Sequence, residues 1–243
     1  MRLKNQFFYT LREDVKDEET RSGNYLVRSG MIKKVGTGIY LFMPLGFKVL
    51  KKIEQIIREE MNKTGAQELL MPALIPEDYY VQSGRKEVFG HDMFSLKDRY
   101  ERGYVLGPTH EELFVYAAKE MIHSYKDMPF NIYQIANKYR DEPRPRFGLI
   151  RTREFMMKDA YSFDVDDETC EASYQKMFQA YQNIMARVGL EYKIVRAGTG
   201  AMGGNLSEEF QAVTEIGEDT LVLCPNCDYA SNLEVSACIV DET

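Results

Sequence analysis

The segment from Lys138 to Asp159 constrains this chain more than any other stretch of it. It sets seven cations (Lys138, Arg140, Arg144, Arg146, Arg151, Arg153 and Lys158) against four anions (Asp141, Glu142, Glu154 and Asp159), in a protein of 243 residues with formal net charge −7. The arginines bracket a Pro-Arg-Pro-Arg-Phe-Gly turn at 143–148, and the runs 131–141 and 148–163 on either side read as paired strands. Residues two apart in an extended strand share a face. Lys138, Arg140 and Glu142 therefore point together on the outgoing strand, and Arg151, Arg153, Phe155, Met157, Asp159 and Tyr161 on the return. One surface then offers guanidinium groups for phosphate, an aromatic plane for a base and a carboxylate for an exocyclic amine. The chain has no GxxxxGK[ST], and no strand followed by GxGxxG, so a nucleotide here must be held by side chains on a sheet.

The composition, 44% hydrophobic and 28% charged, is that of a soluble globular protein. An acidic balance excludes a protein that coats nucleic acid indiscriminately, but leaves room for contact through one basic element. No apolar run is long enough to span a bilayer, and the first residues lack the apolar core and cleavage site of a signal peptide, so the expected address is cytoplasmic, without a membrane partner. Cys170, Cys224, Cys227 and Cys238 do not make a disulfide framework. Cys224-Pro-Asn-Cys227 has the spacing of half a zinc site, but the second pair is missing, and no zinc is expected. His91, His110 and His123 are scattered, and no metal is assigned to them.

The remaining pattern is mixed. A short helix is expected at 24–28, a glycine-flanked hairpin at 35–46, and a helix from Phe47 with Leu50, Ile53, Ile57 and Met61 on one face and Gly65 as its cap. Strands follow at 67–71 and from Tyr104, and a helix at 110–123. After the arginine hairpin comes the clearest helix. Asp166 or Asp167 caps it, Tyr174, Met177, Phe178, Tyr181, Ile184, Met185 and Val188 line it, and Gly189 ends it. Strands at 191–197, 209–215 and 220–223 flank a glycine-rich loop at 198–204, and the chain changes character after Cys224. The fold class is α+β with antiparallel strands flanked by helices, not a βαβ alternation.

The residues NKYRDEPRPRFGLIRTREFMMKDAYSF resemble motif 2 of the class II aminoacyl-tRNA synthetases. With GMIKKVGTGIYLFMPLG, LLMP, VLGPTHEE and GGNLSEEFQ in the same order, the whole chain resembles the bacterial-type prolyl-tRNA synthetase family. The resemblance implies ATP-dependent activation of L-proline to prolyl-adenylate, with Mg²⁺ accompanying ATP, and transfer to tRNA(Pro). It implies that Arg140 binds the α-phosphate and the attacking carboxylate, that Glu142 and Phe155 hold adenine, and that Arg151 holds the γ-phosphate. Gln211 would lie beside the substrates. Thr109 and Glu111 would take the amine of proline, and Met157, Asp159 and Tyr161 would shape its pocket. Arg144 would touch the acceptor end of tRNA, and the helix from Phe47 with the strand through Pro72 would make a homodimer interface as motif 1.

Plainer readings stand beside these roles. Thr109-His-Glu-Glu112 has the form of a helix capping box. Interleaved arginines and acids also make solvated salt-bridge faces, and Met157 and Tyr161 suit a core. The resemblance further implies a third motif with a clamping arginine, absent from these residues. It divides the chain into catalytic-domain sequence at 1–223 and the start of an editing-type insertion at 224–243. On that reading the chain is an amino-terminal piece that activates proline weakly or not at all by itself. Two other classes stay open: a catalytically inactive paralogue acting as a binding or regulatory module, and a class II synthetase for another amino acid such as threonine or serine.

Overall fold

The computed structural model describes residues 3–16, 18–200, 203–214 and 216–237. Cys238, Glu215 and two residues of the glycine-rich loop lie outside them. The chain divides into two compact units, Met1–Ala180 and Tyr181–Thr243.

In the first unit, α1 (Arg21–Arg28) is capped by Thr20, whose Oγ1 accepts from Gly23 N at 3.1 Å. The expected hairpin follows as β1 (Ile32–Gly36) and β2 (Ile39–Phe42), turning at Gly38 with φ +72°. Helix α2 (Pro44–Lys63) begins three residues before the apolar period does, because proline fits the first helical position. It ends at Gly65, whose φ of +87° suits glycine. The strand expected at 67–71 is only β3 (Gln67–Glu68). The segment stays tied down beyond it, since Leu69 N bonds Tyr133 O at 2.9 Å and Met71 N bonds the Gln134 side chain at 3.0 Å.

Next come β4 (Leu74–Pro76), the short helices α3 (Asp78–Gln82) and α4 (Arg85–Phe89), then β5 (Ser95–Lys97), β6 (Gly103–Leu106) and α5 (Glu111–Met121). Strands β4, β6 and β5 form an antiparallel sheet over a core of Ile75, Tyr80, Met93, Val105 and Leu113.

The long pair is β7 (Phe130–Tyr139) and β8 (Glu154–Phe163), in register from Phe130 opposite Phe163 to Tyr139 opposite Glu154. Strand β3 adds to β7 in parallel. One face of the pair is core: Tyr133, Ile135 and Ala160 pack with Ile57 and Met61 of α2, with Ala66, and with Met177 of α6 (Asp167–Val188). Asp166 caps α6 through Thr169 N at 2.8 Å. The ladder stops short of the expected 131–141 and 148–163. Pro143 and Pro145 have no N–H to donate, and Phe147 and Gly148 turn the chain at φ +59° and +62°.

In the second unit β9 (Tyr192–Arg196) pairs antiparallel with β10 (Glu208–Ala212), and β11 (Leu221–Leu223) with β12 (Ala230–Asn232). A parallel bridge from Ser231 to Arg196 joins the two pairs. Phe210 packs its ring against Tyr181 and Tyr192, with centroids 5.7 and 5.3 Å away. Strand β12, which no period in the sequence marks, lies beyond Cys224 and continues this sheet through β11 and β9. Among the described residues, no helix is long and apolar enough to cross a membrane.

Candidate active site

Opposite residues in an antiparallel pair share a face, so the β7–β8 register sets Ile132 with Tyr161, Gln134 with Asp159, Ala136 with Met157 and Lys138 with Phe155. This is the face away from the Tyr133 core. Its centre is the Asp159 carboxylate, which accepts from Lys138 Nζ at 2.7 Å, Gln134 Nε2 at 3.1 Å and Tyr161 OH at 2.8 Å. Lys138 is 0% exposed. Burial pushes its ammonium below the ordinary lysine value, against the Asp159 hydrogen bond and charge that favour the cation. Burial, then the charges of Glu111 and Asp159, push the Tyr161 hydroxyl up, so it remains protonated and donates to Asp159.

Thr109 and Glu111 meet this network at the start of α5. The capping-box reading of Thr109-His-Glu-Glu112 is corrected: the helix starts at Glu111 with His110 at its cap position, and no side chain caps it. Thr109 Oγ1 instead donates to Glu111 Oε2. Its carbonyl accepts from Tyr80 OH at 2.6 Å, and its Oγ1 lies 3.3 Å from Tyr161 OH. The Phe114 ring backs Tyr161, with centroids 4.2 Å apart. Since both hydroxyl protons are committed, to Glu111 and to Asp159, two neighbouring oxygens present lone pairs. Such a spot suits a ligand rich in N–H donors.

The arginines sit just beyond the ladder rather than within it. Arg140 N donates to Arg153 O at 2.9 Å, and its guanidinium lies 5.4 Å from the Phe155 ring centre. Its Nε is buried without a hydrogen bond, and among the described residues no carboxylate pairs with it. Its neighbours differ. Arg151 pairs with Glu142 at 2.8 Å, and Arg153 lies 3.6 Å from Asp141 and donates to the Glu142 carbonyl at 3.0 Å. The loop's backbone is held by other segments: Asp141 N by Asp92 O at 2.9 Å, and Arg153 N by Gly38 O at 2.8 Å. A side chain at Gly38 would meet Pro145 Cβ at 2.5 Å, so the β1–β2 turn is moulded to this loop. Arg144 is exposed at the loop, apart from the polar network.

Gln211 stands on β10 in the second unit, where its carboxamide contacts Glu209, Asp219 at 3.2 Å and Asn232 at 3.3 Å. Cys224 and Cys227 are free thiols in the β11–β12 turn. Cys224 is held below its ordinary value by the Asn226 N–H, at 3.4 Å, and by Cys227.

The sequence reading missed Gln134, Arg85 and His110. Gln134 could have been found from strand alternation, as it shares a face with Lys138; nothing local marks Arg85. Arg85 Nη1 contacts Glu111 Oε2 at 2.9 Å and Glu112 Oε1 at 3.3 Å. A separate cavity of about 430 Å³ beyond it is lined by Tyr79, Arg85, Glu111, Glu112 and Tyr116, but not by Thr109, Asp159 or Tyr161.

His110 is buried, with Nε2 3.1 Å from Pro72 O and Nδ1 without a partner. A carbonyl accepts only from N–H, so the proton sits on Nε2. Burial, then the Lys138 charge, lowers its affinity for a second proton. With the folded value below the unfolded one, its contribution to stability is complete above about pH 6.5 and is lost as pH falls through the folded value. The difference in melting temperature between wild type and His110→Gln is therefore expected to shrink from pH 7.5 to pH 5; a constant difference would contradict it.

Residues 94–242 match the family model described as tRNA synthetase class II core domain (G, H, P, S and T). The chain is 51% identical to a proline–tRNA ligase of Caldicellulosiruptor bescii over 239 residues, which is 98% of this chain and 42% of that protein. It is 54% identical to one of a Nocardioides species over 234 residues, 96% of this chain and 40% of that protein. The chain thus spans 40–42% of the length of these relatives. The fold resembles that of Giardia lamblia prolyl-tRNA synthetase in complex with prolyl-adenylate (TM-score 0.64, 24% identity, 68% of this chain and 35% of that one). It also resembles that of Cryptosporidium parvum prolyl-tRNA synthetase complexed with L-proline and AMP (TM-score 0.67, 16% identity, 76% and 38%). An α+β sheet with its polar face turned from the core and this match over most of its length agree: the chain belongs to the class II tRNA synthetase core family.

Proposed function

We propose that the protein carrying this sequence is a proline–tRNA ligase, which activates L-proline with ATP to prolyl-adenylate and passes the prolyl group to the 3′ end of tRNA(Pro). The observation that carries this reading is the pair of hydroxyl oxygens of Thr109 and Tyr161, 3.3 Å apart with both protons committed elsewhere, beside the Glu111 carboxylate. A cationic amine with two N–H donors fits there. Names of relatives at about half identity and the proline-bound neighbours support the choice of amino acid.

In this reading Arg140, which has no carboxylate of its own among the described residues, faces the α-phosphate and the attacking carboxylate of proline. The reaction is in-line displacement of pyrophosphate by that carboxylate, so it needs orientation and charge stabilisation rather than a side-chain nucleophile. Phe155 stacks on adenine. Glu142 and Arg151, now paired at 2.8 Å, exchange each other for the adenine amine and the γ-phosphate. Met157, Asp159 and Tyr161 bound the proline pocket, with Gln211 beside the substrates and Arg144 toward the tRNA acceptor end. In this reading Mg²⁺ accompanies the phosphates of ATP.

Exposed Phe47 and Val49 on α2, with exposed Leu70 in the segment after β3, support a homodimer surface in this region. We read residues 1–223 as catalytic-domain sequence, 224–243 as the start of an editing-type insertion, and the address as cytoplasmic. Amino-acid-dependent ATP–pyrophosphate exchange by the protein carrying this sequence tests the reading. Stimulation by L-proline above all other amino acids is expected; preference for threonine or serine, or no exchange with any, would overturn it.

A further inference from the structure

Arg85, the first residue of α4, is 16% exposed and lies over the Phe89 ring at 5.1 Å. Its Nη1 reaches Glu111 Oε2 at 2.9 Å, the same oxygen that accepts from Thr109 Oγ1. That atom also contacts Glu112 Oε1, at 3.3 Å, which Ser83 Oγ holds from the other side at 2.9 Å. The Glu112 side chain is 6% exposed. Three charged groups in a row, carboxylate, guanidinium and carboxylate, leave one net negative charge. It stays available to the outer carboxylate, Glu111, the more exposed of the two at 29%.

We propose that Arg85 and Glu112 are positioning residues for recognition of the substrate's amine: Arg85 fixes the Glu111 carboxylate that holds the Thr109 proton, and Glu112 cancels the charge of Arg85. This rests on the proposed function and deepens it. Without Arg85, Glu111 loses its charged hydrogen bond and is free to change rotamer. The Thr109 hydroxyl can then turn its proton to Tyr161, which converts an acceptor pair into a donor–acceptor pair and removes a place for an N–H. Without the charge on Glu112, Arg85 uses up the charge of Glu111 instead, and the net negative charge that attracts an incoming ammonium is lost. Neither residue touches the substrate, so their effects fall on the amine and not on the ring or the carboxylate.

That selectivity sets the test. L-Proline and tetrahydrofuran-2-carboxylate have the same ring and carboxylate, but the second has an ether oxygen in place of the amine. Binding of both is measured by NMR titration of the protein, with the amide spectrum reporting that each variant is folded. Wild type is expected to prefer proline strongly. Arg85→Met and the near-isosteric Glu112→Gln are each expected to weaken proline binding about tenfold and to narrow its advantage over the ether, with Arg85→Lys recovering part of the loss. Folded variants with unchanged proline affinity and an unchanged ratio overturn the inference, as does an equal loss for both ligands. A wild-type protein that binds neither proline nor the ether overturns the functional reading instead, so the two failures are distinguishable.

Discussion

Replacing Arg140 with alanine is expected to lower proline-dependent ATP–pyrophosphate exchange by about 10²- to 10³-fold, the loss typical when a fixed group facing developing charge is removed. In the proposed reaction negative charge grows around the α-phosphorus as the proline carboxylate attacks, and Arg140, laid over Phe155 at 5.4 Å, would meet it. No carboxylate among the described residues pairs with it, so no ion pair has to break first. For the same reason the substitution should cost little stability. The ring contact at a half-buried site is worth about 0.5–2 kcal/mol. Arg140→Lys keeps the charge but loses the planar fork, so its activity should lie between the two. Exchange rates at saturating ATP and proline, read beside thermal unfolding, check the claim. A loss smaller than about tenfold in a folded variant would remove Arg140 from the transition state.

The largest effect on stability is expected at Asp159. Asp159→Ala leaves the Lys138 ammonium, 0% exposed, without its anion. Removing one member of a buried pair costs about 3–5 kcal/mol, because the charge left behind is uncompensated. The Gln134 and Tyr161 donors lose their acceptor as well. Removing both charges behaves differently. In Lys138→Met/Asp159→Asn the amide keeps an acceptor oxygen for Tyr161 or Gln134, and no charge remains buried. The double variant should therefore recover most of the stability lost in Asp159→Ala. Urea unfolding of the three proteins measures this, and a double variant no more stable than the single one would refute the pairing.

How far the sequence reveals this site depends on what holds each residue. Phe155, Met157, Asp159 and Tyr161 were legible as one face because they lie within a regular ladder, where alternation alone sets direction. Arg140, Glu142, Arg151 and Arg153 lie outside it, and their positions come from Asp92, Gly38 and one another, which no local period encodes. Strands β4, β5 and β12 have three residues each, too few to show a period. Thr109 was legible through resemblance, yet its local pattern pointed to a cap that does not form, because the helix starts one residue later with His110 at the cap position. Arg85 was illegible: it opens a short helix, and only the packing of α3 against α5 brings it to Glu111.

The β7–β8 pair works like a text with two reading frames. One frame spells core, with Tyr133 and Ala160 against α2, and the other spells chemistry, with Gln134, Lys138, Asp159 and Tyr161. Losing a single residue inside β8 would exchange the frames, turning Met156, Lys158 and Ala160 toward the polar face and sinking Asp159 into an apolar layer. A residue gained or lost at 143–150 changes neither frame, since the ladder has already ended at Tyr139 and Glu154. A change of length in the loop therefore disturbs its packing on the Gly38 turn but leaves both strands facing as they do, whereas a change a few residues later reassigns a whole strand.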